Sequence, residues 1–303
     1  SDPACALPKA PTSVVTIKAE WDWDEIDERS FSTLVRNFGT WHERNGDEHS
    51  MYAAMFSVLI AGCRQPGRKI ALRALSIAGE GGERQLDEHI AAISDGVSIV
   101  HTRRVEEMSW LTFALTPFPD LFFVAPGGTS VSQARLKAKD ALLRAAHTDR
   151  QMAVMYRYLT QADVSVFGFI GLASYGGRVN SVRSDATASA QRSSVMDTAY
   201  SVGWMNADDE ARSVAWVREF YRDVFADSGG VPVPGASTEG ALINHPDVDL
   251  ADPEWNTSGV PWHTMYYNDN YVRLQAVKAQ YDPRNVFHHA LSIQLPRDGT
   301  MGS

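Results

Sequence analysis

Cysteine is almost missing from this chain. Two occur in 303 residues, Cys5 and Cys63, far apart and placed in an expected N-terminal tail and a hairpin loop, which argues against a disulfide framework. No apolar run reaches bilayer-spanning length and no basic-then-apolar leader opens the chain, so a cytoplasmic protein with no membrane partner is the expectation. Clustered positive charge is lacking too: the net charge of -9 is spread along the chain. Phosphate binding needs a basic face, which argues against nucleic acid as a partner. There is no P-loop, no G-x-S-x-G and no H-E-x-x-H, and Gly79, Gly81 and Gly82 lack dinucleotide-fingerprint spacing.

What is present is an ordinary globular composition, 44% hydrophobic and 21% charged. The length permits two domains or one large one; the expectation is one α+β domain over 1–303, ordered from 8 to 296, with 297–303 a tail. Val14–Trp21 alternates as a strand, and Asp22–Arg44 carries Ile26, Phe31, Leu34, Val35, Phe38 and Trp41 at helical spacing. Tyr52–Gly62 and Lys69–Ala78 read as a hairpin, and Glu83–Ser94 as a helix. Trp110–Val124 reads as a packed loop and Ser130–Leu159 as one long helix. Val164–Leu172 and Ser194–Trp204 are strands, and Asp208–Phe225 is a helix. A last helix runs from the Tyr266 region to Tyr281, where Asp282-Pro283 stops it. This order predicts a large antiparallel sheet with helices packed on one face and the other face forming the ligand site.

On the strand ending at Trp204, Met196, Thr198, Tyr200, Val202 and Trp204 share one side, and Asp197 and Ser201 the other. The first side suits a bulky apolar ligand and equally suits a hydrophobic core. Tyr175 closes the preceding strand. Arg192 either binds a carboxylate or enolate oxygen or makes a structural salt bridge. His245 acts as a general acid or base, polarises a carbonyl, or merely satisfies a neighbouring loop. No metal site is expected. His42, Glu43, Asp47, Glu48 and His49 fall at a helix end where charges are solvated, and His288 and His289 point to opposite sides of an extended segment.

The C-terminal stretch carries Asn244, Asp247, Tyr266, Tyr267, Asn270, Tyr271, Arg273, Leu274, Lys278, Tyr281, Asp282, Pro283, Asn285, Phe287, Ser292 and Ile293. In that order these residues resemble the C-terminal end of the berberine-bridge-enzyme-like flavin oxidoreductases, and the resemblance extends back to about Pro8. It implies that the chain is the family's substrate domain without its flavin-binding domain, that the bare sheet face holds the substrate, and that Asn270 lies near a flavin, if FAD is bound, or caps its helix. Neither cysteine stands in a flavin-attachment context. Where the family has two tyrosines, this chain has Leu242 and His245, and leucine cannot accept a proton. The expectation is therefore a cofactor-free cyclase of secondary metabolism, closing a ring in a polyketide-like substrate by a pericyclic, Diels-Alder-type step. Its catalytic contacts would be His245, Tyr200, Tyr175 and Arg192, with Met196, Thr198, Trp204, Leu242, Asn244 and Tyr267 binding substrate. Two alternatives stand beside it: the substrate-binding part of a split FAD-dependent oxidoreductase, and a hydrophobic-ligand carrier. Pairing into a homodimer would cover the open face.

Overall fold

Period-two runs fold as strands β1 (Ser13–Asp22), β2 (Met55–Gly62), β3 (Lys69–Ser76), β4 (Thr102–Ser109), β5 (Arg135–Leu143), β6 (Phe167–Ser174), β7 (Met196–Trp204) and β8 (Thr238–Gly240). They form one antiparallel sheet in the order β4-β1-β3-β2-β6-β7-β5-β8. This is a computed structural model, and it describes residues 10–47, 49–50, 54–116, 135–162 and 166–296. Four amphipathic helices, α1 (Glu28–Asn45), α2 (Gly82–Ser94), α4 (Asp149–Gln161) and α5 (Glu210–Val224), cover one side. Between α2 and α4, the short α3 (Trp110–Leu115) follows β4, while α6 (Trp262–Tyr267) and α7 (Tyr271–Tyr281) follow β8. The expected α+β class and antiparallel sheet are what forms.

Register decides which residues face the helices. Ile17, Leu59, Leu72, Ile170, Leu172, Met196, Tyr200 and Val202 are all buried beneath them. Their neighbours in sequence, including Lys18, Arg73, Phe169, Ala173, Asp197 and Ala199, point to the opposite side, which the described residues leave only partly covered.

Three expectations change. The long helix over Ser130–Leu159 is instead β5 followed by α4, and Ser130 itself lies outside the described residues. Thr148 starts α4 with a reciprocal capping box to Gln151, and the preceding Leu-Lys-Ala-Lys-Asp-Ala-Leu-Leu pairs with β7 along its whole length. Trp110–Val124 begins as α3, capped by Ser109; 117–124 lies outside the described residues. The edge strand β4 was not anticipated, because its Arg103, Arg104, Glu106 and Glu107 hide the alternation; charges of this kind also blunt an open edge. The final helix does end at Tyr281, but it is divided at Asn268, whose φ of 45° breaks the turn between α6 and α7. Among the described residues no helix is long and apolar enough to cross a membrane.

Candidate active site

The segment after β8 crosses the edge of β5, and β5 meets it with both of its sides. Lys139 points toward the helices, beneath the Tyr221 ring, and pairs there with Asp247 and with Asp249 at 2.8 Å. Lys137 lies 3.1 and 3.2 Å from the same two carboxylates, and Arg218 forks onto Asp249 at 2.6 and 3.0 Å. Burial would raise Asp249, but Arg218 and Lys139 hold its carboxyl well below the usual range. The next residue, Asp140, points to the open side and accepts the Leu242 N–H at 2.8 Å. Gln191 fixes the same segment from beneath, donating to the carbonyls of Ala241, Met265 and Tyr266, while Asp247 N–H donates to Tyr266 Oη at 2.9 Å.

These anchors bring Asp140, Asp197 and His245 together on the open face. One donor atom from each lies within 4.8 Å of the others. His245 Nδ1 stands 3.9 Å from Asp140 Oδ1; the imidazole is 43% exposed and the carboxylate 2%. Asp140 and Asp197 are diagonal neighbours, since Leu142 is the residue opposite Asp197. Burial raises Asp140 well above the carboxylate range, reinforced by Asp197, and pushes Asp197 up to about 7. Burial also lowers His245, favouring the neutral form of its ring. Tyr175 feels the charges of Arg192 and Asp197, and burial raises its phenol.

The other expected site residues fall elsewhere. Met196, Thr198 and Tyr200 are fully buried on the helix side, on the opposite face of β7 from Asp197. Tyr200 packs edge-on against Phe220, Tyr221 and Phe225, with its hydroxyl 3.4 Å from His147. Trp204 donates to Glu210 at the sheet end. Arg192 holds Val179 O and Thr187 Oγ1 through its guanidinium. Its N–H joins those of Ser193 and the hydroxyls of Ser193 and Ser194 on the buried Glu239. Burial would raise that carboxyl; the serine and backbone donors bring it below its ordinary value. Leu242 contributes its backbone, Asn244 is exposed beside His245, and Tyr267 is buried against Tyr266 and Tyr271. Asn270 makes no side-chain cap; its amide ties down the carbonyls of Ser184 and Thr187. His42 turns into the core onto Ser57 Oγ, away from its acidic neighbours in sequence. Sequence reasoning missed Asp140 and gave Asp197 no role. The signal was the adjacent Lys139-Asp140 directly before the apolar Ala141-Leu142-Leu143.

Residues 241–294 match the family model "Berberine and berberine like". The chain is 43% identical over 296 residues to the aclacinomycin-N/aclacinomycin-A oxidase of Streptomyces galilaeus, covering 98% of this chain and 52% of that protein. Aclacinomycin oxidoreductase superposes with a TM-score of 0.89 at 42% identity, over 97% of this chain and 58% of that one. A glycopeptide hexose oxidase complexed with teicoplanin superposes at 0.85 with 42% identity, over 97% and 57%. The chain thus spans little more than half the length of these relatives and is homologous to FAD-linked oxidoreductases. That homology overturns the expectation of a flavin-independent, cofactor-free cyclase: the relatives are oxidases, and they point to FAD.

Proposed function

We propose that this chain supplies the substrate side of an FAD-linked oxidoreductase that oxidises a hydroxyl group, carried on a sugar-like ring of a large natural product, to a carbonyl. The observation that carries this reading is the neutral, half-exposed His245 held beside Asp140 on the open sheet face. Leu242 argued against an oxidation because it cannot take a proton, but His245 replaces that capacity from three residues further on.

The open face suits a flat ring system. Gly171, Ala173 and Ala199 leave its middle without bulk, and a Cβ built on Gly171 would meet only Val58 Cγ2 at 3.9 Å. FAD, when bound, accepts the two electrons and the carbon-bound hydrogen released in such an oxidation. The protein's own part is to take the hydroxyl proton and to orient the alcohol. With Nδ1 turned toward Asp140, Nε2 of His245 is the nitrogen left for that proton. Further along the same face a groove of about 710 Å³, lined by Thr16, Lys18, Phe56, Arg73, Glu106 and Phe113 among others, offers room for the bulk of the substrate. The hexose and aclacinomycin named for the relatives motivate the choice of substrate.

The test is anaerobic mixing of the full-length, flavin-loaded protein with aclacinomycin A or teicoplanin. Bleaching of the flavin's visible absorbance with formation of a carbonyl product is expected. A full-length protein that takes up no flavin from excess FAD sinks the reading.

A further inference from the structure

Strand register lines up one row of side chains across the open face. Arg104 on β4 stands opposite Lys18 on β1, Lys18 opposite Arg73 on β3, and Arg73 opposite Val58 on β2. Val58 stands in turn opposite Ala173 on β6, and Ala173 opposite Asp197 on β7. Residues paired across a sheet share a face, so the row begins with three cations and ends at the carboxyl beside His245. Two of the cations are answered: Lys18 pairs with Glu20 and Arg104 with Glu106, each at 2.5 Å. Arg73 differs. Among the described residues its guanidinium makes no hydrogen bond or ion pair, and its Nε is buried without a partner. Glu20, whose charge reaches Arg73, is the carboxylate already held by Lys18, and burial disfavours the bare cation. All three cations line the groove of about 710 Å³. Beside Arg73 its floor is the neighbouring row Phe56, Leu75 and Thr16, and Phe113 lines it from α3.

We propose that Arg73 determines specificity at the end of the substrate remote from the oxidised hydroxyl, and that it selects an aromatic carboxylic acid there. This rests on the oxidoreductase reading above. A guanidinium offers parallel N–H donors that match the two oxygens of a carboxylate, and Nε with one terminal nitrogen makes such a fork. A single negative charge is what one unanswered cation balances; a doubly charged phosphate would face Glu20 and Glu106 as well. The apolar floor and Phe113 favour an aromatic body for that acid. Spacing sets its reach. Arg73 and Asp197 are three inter-strand steps apart, about 14 Å at roughly 4.8 Å each, and only Val58 and Ala173 stand between them in the row. A sugar ring at His245 joined to a flat aglycone places the aglycone's carboxylate at Arg73.

The probes are the β-glucoside of 6-hydroxy-2-naphthoic acid and the methyl ester of the same compound, which differ by one charge. Each is titrated by calorimetry into the full-length protein, with any flavin it holds reduced beforehand by dithionite so that the glucoside is not consumed. Wild type should bind the acid about tenfold or more tighter than the ester. Arg73→Gln should bring that ratio close to one, and Arg73→Lys, which keeps the charge but loses the fork, should fall between. Because Arg73 holds no partner among the described residues, its replacement strands no carboxylate of the fold. Wild type decides even without a variant: equal binding of acid and ester, or binding of neither, overturns the proposal, and so does a preference that survives Arg73→Gln. The two levels separate. Equal affinities in a protein whose flavin is bleached by aclacinomycin A sink the role of Arg73 only. An acid preference that Arg73→Gln abolishes, in a full-length protein that takes up no flavin, keeps Arg73 and sinks the oxidoreductase reading.

Discussion

At the scale of single residues, the site distinguishes a group that does chemistry from one that only looks suited to it. His245→Ala removes the base proposed for the open face and should slow flavin reduction by about 100-fold or more, with little change in the melting midpoint because the ring is half exposed. Tyr200→Phe is the contrasting case. Its hydroxyl is sealed beneath α5, so stopped-flow reduction should be unaffected, and an equal loss in both variants would count against the open face as the substrate side. Asp197 gives a stability test of its own. Its folded-state pKa of about 7 lies above the ordinary 3.8, so the native state binds the proton more tightly than the unfolded chain does. Stability contributed by the protonated acid is whole below pH 4 and is lost as pH rises through 7, up to about 4 kcal/mol. Asp197→Asn should therefore raise the urea midpoint at pH 8 and leave it nearly unchanged at pH 5.

At the scale of elements, what matters is how the segment after β8 is pinned across β5. Lys139→Met would strand Asp247 and Asp249 with one buried cation fewer and should cost about 3–5 kcal/mol in equilibrium urea unfolding. Adding Asp247→Asn should recover part of that loss, because the two residues are coupled. Gly240 is the pivot of the same crossing: its φ is 94°, and any Cβ would run into the Met265 carbonyl. Gly240→Ala should cost at least about 2 kcal/mol and displace Leu242 from Asp140. Strands β1, β2, β3, β6 and β7 and helices α1, α2 and α5 were legible in the sequence, because each buries a regular apolar stripe. β5 was not, since Leu-Lys-Ala-Lys-Asp-Ala-Leu-Leu satisfies a helical period as well as a strand's, and the partner that neutralises Lys139 lies 108 residues away. Alternation on β7 separated Tyr200 from Asp197 correctly but does not say which side the helices cover. The meeting of Asp140 with Asp197 depends on the β5–β7 register, and no local pattern encodes it.

At the scale of the whole molecule, acid should undo the helix-covered layer before it touches the open face. His42 and His89 sit together between α1, α2 and the sheet, ringed by Phe38 and Trp41, and His147 lies beneath Tyr200. Burial lowers His42 to about 4, His147 to about 3 and His89 well below the ordinary 6.5. For a histidine depressed on folding, the unfolded chain binds the proton more tightly, so stability is present above pH 6.5 and drains away as pH falls toward the folded value. His42 is worth up to about 3 kcal/mol over that window, and the more strongly depressed His147 more than that. The rising ionisation of Asp197 slopes the opposite way between pH 4 and 7, but it is set against three histidines, so the net stability should fall on acidification below pH 6.5. His89 separates this cause from general acid denaturation, because neither of its ring nitrogens has a hydrogen-bond partner. His89→Leu removes a buried polar ring without orphaning another group, so at pH 7.5 it should be close to neutral. At pH 5 it should be more stable than wild type by about 1–2 kcal/mol. Parallel urea curves for the two proteins at both pH values would mean that the acid lability arises elsewhere, in the carboxylates that hold the segment after β8 to β5.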